Sequence, residues 1–451
     1  MKNITKVLIA NRGEIAVRII RACRELNLPS VSVYSSGDNN ALHRLIADES
    51  VCIGPPQSKD SYLNMHAIIG ACKKTGADAL HPGFGFLSES AEFAKLCADN
   101  GIKWIGPTSE QITALGDKAN AKNAVKANGV PVIPGSDGIV ADIDSALKLC
   151  DNMGYPVLVK ASAGGGGRGI RPANNAEELQ AAFTAAKAEA MVCFGDDGVY
   201  IEKLIQNPRH VEIQILADEY GNCVYLGERD CSCQRRRQKV LEESPSPAVD
   251  GTLRKAMGEA AVKAAVTSNY TNAGTVEFLL DKNKQFYFME MNARIQVEHP
   301  VTEAVTGIDL IKAQISIADG EKLPFAQTDV IFYGHSIECR VNAENPTLNF
   351  RPSPGKITGL HLPGGFGVRV DTAVYQGYEI PPFYDNMLAK VIVHAKDRPS
   401  AIRKMIVALS EVLIDGVDTN VDFLLNLLKN DTFDSGVFDI GFVEEQLSDL
   451  V

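Results

Sequence analysis

The stretch FYFMEMNARIQVEHP, Phe286 to Pro300, most restricts what this chain can build. Glu290, Asn292, Arg294, Gln296 and Glu298 alternate with Met291, Ala293, Ile295 and Val297. In an extended chain successive side chains point to opposite faces, so the acidic, amide and guanidinium groups would share one side. Upstream, AGTVEFLLDKNKQFYFME reads as two apolar β-prone runs joined by a hairpin with Asn283 and Lys284 at its tip. An even loop about that tip brings Glu277 opposite Glu290. Opposed Cβ atoms lie ~5 Å apart, where two like charges destabilise a hairpin unless a cation sits between them. The neighbours Val276, Phe278 and Phe288 suggest partial burial, which makes an unpaired carboxylate costlier. One carboxylate carrying a proton would resolve the conflict. So would a hard divalent cation, with the Asn292 amide oxygen as a further ligand, and magnesium suits such oxygen donors. An ordinary surface strand with its polar face in water is the bland reading, which the facing hairpin disfavours.

With 451 residues, 45% of them hydrophobic, and 38 glycines, the chain has material for several packed domains. It contains no apolar run of the roughly 18 residues a membrane span needs, and Arg12 and Glu14 interrupt the N-terminal apolar stretch. A cytoplasmic protein without membrane span or signal peptide is expected. Ten cysteines are scattered without a C-x-x-C pair, and Cys231-Ser-Cys233 has no companion cluster, so inert buried thiols are expected rather than disulfides or zinc. A net charge of -11 argues against general nucleic-acid binding.

KVLIANRGEIAVRIIRACRELNLPSVSVYSS reads strand, turn, helix, strand, with Gly13 at the first turn. It lacks G-x-G-x-x-G, so a dinucleotide is a weak reading. The alternation continues through ADALHPG and IKWIGP, which makes residues 1–115 an open parallel-sheet domain. Residues 129–203 hold a further unit with YPVLVKASAGGGGRGI, a strand ending in Lys160 followed by Gly164 to Gly167. Consecutive glycines pack nothing, but they let backbone N–H groups converge on an anion and close over it. A Walker A loop would need G-K-[ST] there, and it is absent. In GVYIEKLI an apolar strand runs into Glu202 and Lys203, a hinge that could meet an adenine edge and a sugar or could be a solvated strand end. Beyond about Tyr333, short strands and turns precede a helix from about Pro399.

Glycine lid, strand lysine, Glu-Lys hinge and paired carboxylates, in that order, resemble the ATP-grasp superfamily. HPGFGFLSES, RDCSCQRRRQKVLEESP and EMNARIQVEHPVTE narrow this to a resemblance to the biotin carboxylase family, and within it to the subunit serving acetyl-CoA carboxylase. The likeness implies an α/β and α+β multidomain fold. Its parts are an N-terminal pre-ATP-grasp domain (1–115), an ATP-grasp domain (116–331) with a mobile glycine-rich lid at about 129–203, and a C-terminal mixed β/α domain (332–451). No lysine-bearing MKM segment is present, so biotin is expected on a separate biotin carboxyl carrier protein. Carboxyltransferase subunits and a homodimer are the other implied partners.

By the same resemblance, Lys118, Lys160, Gly166, Gly167, Glu202, Lys203, Ile205, His210 and Gln234 correspond to ATP-binding positions, and Arg237 lies among them. Glu277, Glu290 and Asn292 correspond to ligands of Mg2+ or Mn2+. Lys239, Arg294, Gln296 and the backbone of Val297 match the bicarbonate pocket, Glu298 the general base, and Arg340 the residue facing the biotin ureido oxygen. Four positions depart from the usual pattern. Arg237 stands for His or Asn, Phe84 for Tyr on the biotin side, Ala163 shortens the glycine run, and Ala293 replaces Thr. Arg235, Arg237 and Lys239 would share one face if all were in a strand, which would point Arg237 toward nucleotide. Arg340 is expected to meet its charge partner only when biotin reacts. A different ATP-grasp ligase joining a carboxylate to an amine, a carboxylase subunit serving pyruvate or another acyl-CoA, and a non-catalytic nucleotide-binding regulator are the alternatives.

Overall fold

A computed structural model describes residues 3–116, 118–161, 170–194 and 197–451. Five strands, β1 (Val7–Ile9), β2 (Ser30–Ser35), β3 (Glu49–Gly54), β4 (Ala79–His81) and β5 (Lys103–Trp104), form a parallel sheet in the order β3-β2-β1-β4-β5. Gly13, at φ 70°, turns the chain from β1 into helix Gly13–Glu25, whose Ile15, Ile19, Ile20 and Cys23 are buried. Strand order reverses between β1 and β4, and the crevice beyond their carboxyl ends is where such sheets bind ligands. The loops there are tied together, since Asn11 Nδ2 donates to the carbonyls of Pro82 (2.6 Å) and Phe84 (2.8 Å).

A smaller antiparallel sheet, β6 (Val157–Ala161), β7 (Ile170–Ala173) and β8 (Val199–Lys203), has the order β7-β6-β8. It packs on helices Ile143–Met153 and Ala176–Phe194 around Val157, Val159, Leu179, Phe183 and Ile201, a core of its own. The glycine run, with Gly166 and Gly167, lies outside the described residues.

An eight-stranded antiparallel sheet forms most of what lies downstream. Its strands are β9 (Arg209–Ala217), β10 (Cys223–Arg235), β11 (Gln238–Ser244), β12 (Asn272–Leu280), β13 (Phe286–Asn292), β14 (His335–Asn342), β15 (Val368–Thr372) and β16 (Met387–Ala395). Their order is β13-β12-β9-β10-β11-β14-β16-β15. The sheet runs without a break across residue 331, because β11 pairs with β14. Strand β16, MLAKVIVHA, has no counterpart among the expected strands.

Glu277 does pair with Glu290, though by a different route from the one expected. The tip is a three-residue loop closed by Asp281 N–H to Gln285 O (2.9 Å), with Lys284 at φ 63°. Leu280 therefore pairs with Phe286 and Phe278 with Phe288, and a β-bulge at Met289 restores the Glu277–Glu290 pairing. The alternating row is not one strand. It ends at Asn292, where Glu89 accepts from the Ala293 N–H (3.2 Å) and from Arg294 Nε (3.0 Å). Glu298 then stands at the N-cap of helix His299–Thr306, which has Pro300 in its first turn.

Candidate active site

Strand β9 is buried along its whole length, so its alternation sets His210, Glu212 and Gln214 on one covered face and Val211, Ile213 and Ile215 on the other. Cross-strand register continues that polar face into a row: Glu290 opposes Glu277, Glu277 opposes Glu212, and Glu212 opposes Arg229. Arg229 is fully buried and anchors the row. It donates to Glu212 Oε1 (2.6 Å), Gln214 Oε1 (2.8 Å), Thr302 Oγ1 (2.9 Å) and Thr275 Oγ1 (3.1 Å).

Lys239 on β11 reaches into this face. Its Nζ lies 2.8 Å from Glu212 Oε2, 2.5 Å from Glu298 Oε1 and 3.6 Å from Glu277 Oε1. Burial works against its charge, but the surrounding carboxylates override it and hold the ammonium protonated. Glu298, 1% exposed, receives Arg340 Nη2 on its other oxygen at 2.9 Å. Burial alone would raise its pKa; Lys239, Arg340 and Arg229 together hold it well below the usual carboxylate range. The Cys231 thiol stands 3.8 Å from Glu298 Oε1, and burial keeps it protonated, so this cysteine lines the site rather than a distant core.

Arg340 already has partners. It pairs with Glu242 as well as Glu298, which corrects the expectation that its charge is met only when biotin reacts. Glu242 directly opposes Glu338 across β11 and β14, and both are fully buried. Burial pushes Glu242 up to about 7 and Glu338 well above the ordinary value.

Arg294 does not join Glu298. It donates to Glu89 (3.0 Å), Gln296 Oε1 (2.8 Å) and Asn292 Oδ1 (3.3 Å). Asn292 and Gln296 in turn donate to Glu277 Oε1, at 2.8 and 3.4 Å. Glu277 and Glu290 as a cross-strand pair, with Asn292 beside them, offer an all-oxygen donor set on one face, which fits a hard divalent cation. The charge on Glu277 is met by His210 Nε2 (3.0 Å) and Lys239. His210, Glu212 and Glu277 also lie close enough together to share an ion.

On β8, Glu202 is paired with both Lys160 and Lys122, the latter at 2.5 Å. Sequence reasoning passes over Lys122, although it lies one helical turn beyond Lys118 on helix Lys118–Ala127. The Lys118 side chain lies outside the described residues. Lys203 Nζ donates to Tyr155 O (2.7 Å), and its N–H donates to Pro134 O (2.8 Å), so neither is turned to an open hinge. Ile205 beyond it is half-buried. Gln234 Nε2 meets His210 Nδ1 at 2.7 Å, extending a chain to Glu277.

Arg237 lies between strands, not in one as expected. Arg235 pairs with Gln238, so Arg236 and Arg237 form a two-residue hairpin turn, at φ 48° and 65°, and Arg237 shares no strand face with Lys239. Its side chain is exposed. Phe84 is half-buried against the core that holds Ile15 and Ile295.

The three parts of the chain match three families in order: biotin carboxylase N-terminal domain over residues 3–112, carbamoyl-phosphate synthase L chain ATP-binding domain over 117–326, and biotin carboxylase C-terminal domain over 338–445. The chain is 58% identical over 442 residues to Biotin carboxylase 1 of Bacillus subtilis, covering 98% of each. It is 53% identical to a pyruvate carboxylase subunit of Methanothermobacter thermautotrophicus, covering 98% of this chain and 90% of that one. Among solved structures, the biotin carboxylase domain dimer of Hydrogenobacter thermophilus 2-oxoglutarate carboxylase, in complex with MgADP, ADP and bicarbonate, superposes with a TM-score of 0.91 at 48% identity, covering 99% of each chain. Likeness of this extent, over a polar sheet face with this arrangement, makes the chain a member of the biotin carboxylase family, an ATP-dependent ligase.

Proposed function

We propose that this chain carboxylates biotin on a biotin carboxyl carrier protein, using bicarbonate and ATP through carboxyphosphate. The observation that carries the reading is Lys239 held between Glu212 and Glu298 with Arg340 on the far oxygen of Glu298. A cation and a carboxylate side by side can hold bicarbonate and take its proton. The Glu298 carboxylate accepts that proton while a bicarbonate oxygen attacks the γ-phosphorus and the bond to ADP breaks. Arg294, Gln296 and the Val297 N–H complete the anion pocket. Lys160, Glu202, Lys203, Ile205, His210 and Gln234, with Lys118, Gly166 and Gly167, serve ATP.

Glu277, Glu290 and Asn292 would hold Mg2+ or Mn2+. Bound there, the ion would offset charge on the transferring phosphates. Carboxyphosphate then breaks down to CO2 and phosphate, biotin N1 loses its proton to that phosphate, and N1 adds to the CO2 carbon to give N1-carboxybiotin. Arg340 stabilises the negative ureido oxygen, and Phe84 lines the biotin side. The domains are 1–115, 116–331 and 332–451, with the lid at about 129–203.

The complete system that the chain is proposed to serve is a cytoplasmic acetyl-CoA carboxylase of fatty-acid synthesis, with carboxyltransferase subunits, the chain itself a homodimer. A relative named Biotin carboxylase supports this; relatives that serve pyruvate and 2-oxoglutarate carboxylases make those acceptors the second reading. Oxygen-18 from labelled bicarbonate should appear in the released phosphate. Release of phosphate without label would overturn the carboxyphosphate route.

A further inference from the structure

Lys390 lies in the middle of β16 with 0% exposure, and its Nζ donates to the carbonyl of Val297 at 2.8 Å. Arg340 pairs with Lys390 directly across β14 and β16. Two neighbouring cations on one sheet face therefore reach the same short loop, Arg340 at the Glu298 carboxylate and Lys390 at the peptide just before it. The counter-charges of Lys390 come from other parts of the chain. Glu14, on helix Gly13–Glu25, lies 3.2 Å away, and Asp371 on β15 is its other cross-strand neighbour. Glu338 on β14 also faces it, while Arg369 on β15 and His299 on the adjoining helix complete its charged and titratable surroundings. A buried ammonium carries a desolvation penalty that an apolar side chain of similar length would avoid. Packing alone therefore gives no reason for a charge at this place. The ammonium ends on the carbonyl of the Val297–Glu298 peptide, next to the Cα from which the Glu298 side chain departs.

We propose that Lys390, held by Glu14, is a positioning residue that sets the bicarbonate loop Gln296–Glu298 by clamping the Val297 carbonyl. The proposal rests on the assignment of that loop to bicarbonate and its proton. It makes the loop the meeting point of three parts of the chain: the first helix, the loop after β13, and β16.

The test is Lys390→Met in the full chain, with steady-state kinetics in bicarbonate, ATP and free biotin and a thermal melt. The expected result is a folded protein whose KM for bicarbonate rises at least tenfold while its KM for ATP stays within twofold of wild type. Wild-type kinetics in folded Lys390→Met would overturn the proposal. So would equal losses against every substrate that track a loss of folded protein, the pattern of a merely structural role. Should Lys390→Met fail to fold because Glu14 is left unpaired, Lys390→Met combined with Glu14→Gln removes both charges and decides the matter by the same two constants. Wild-type protein lacking bicarbonate-dependent ADP release would sink the functional reading itself, an outcome distinct from normal bicarbonate kinetics in the variants.

Discussion

Lys239 Nζ and Glu298 Oε1 are 2.5 Å apart inside a face that also holds Glu212 and Glu277. The pairing makes Glu298 a weak base in the free protein, because cations that stabilise a carboxylate lower its affinity for a proton. Bicarbonate drawing Lys239 toward itself, and biotin drawing Arg340, would each strip a cation from Glu298. Its basicity would then rise only with substrates in place.

Glu298→Gln keeps the shape and removes the proton acceptor. Carboxylation should fall ~100-fold or more, the common scale for losing a general base, while ATP binding persists. Initial rates and a nucleotide titration check it, and rates near wild type would remove Glu298 from the chemistry.

Arg340→Met should disturb both half-reactions, because Arg340 touches Glu298 before biotin arrives. Removing one cation from Glu298 raises its pKa in the folded protein. The acid limb of bicarbonate-dependent ATP cleavage should therefore move to higher pH, and biotin carboxylation should be lost. An unmoved acid limb with intact ATP cleavage would restore a strict division of labour.

Glu338→Gln tests the buried pair with Glu242. Burial raises the folded-state pKa of Glu338, so its contribution is fully present below the ordinary carboxyl value. As pH rises above that value the unfolded chain releases the proton while the folded chain keeps it, and stability is lost at up to about 1.4 kcal/mol per pH unit. The glutamine variant lacks this loss. Its melting temperature should gain on wild type as pH rises above the ordinary carboxyl value, and a constant difference would contradict a proton held on Glu338.

Arg237→Asn places a residue tolerant of positive φ in the Arg236–Arg237 turn. Stability should rise by about 1 kcal/mol or hold steady. The ATP dissociation constant should stay within twofold at low and high salt, given the exposed side chain. Salt-sensitive weakening would return Arg237 to the nucleotide site.

Much of the site is legible in the sequence because alternation and motif order carry it. Glu277 opposite Glu290 follows from hairpin symmetry, but it survives only because an odd loop and the bulge at Met289 compensate. Alternation past Asn292 looks like more strand, and what ends it is long-range: Glu89, about 200 residues earlier in the chain, takes the Ala293 N–H. Glu212 and Gln214 are visible in VEIQI, an alternating run whose polar side is buried rather than wet. The partners Arg229, Glu242, Glu338 and Lys390 are not, since a charged residue inside an apolar run shows nothing of what it meets across a sheet. The strand placement of Arg237 fails for a local reason. Arg-Arg carries no turn signal, so a strand reads straight through it.

In the proposed reaction the polar face of β9 to β14 couples ATP cleavage to bicarbonate and then to biotin. ADP release by purified protein with magnesium tests it most directly, with bicarbonate and free biotin added separately and together. Release should depend on bicarbonate and increase further with biotin. Equal ADP release in the presence and absence of both would contradict that coupling.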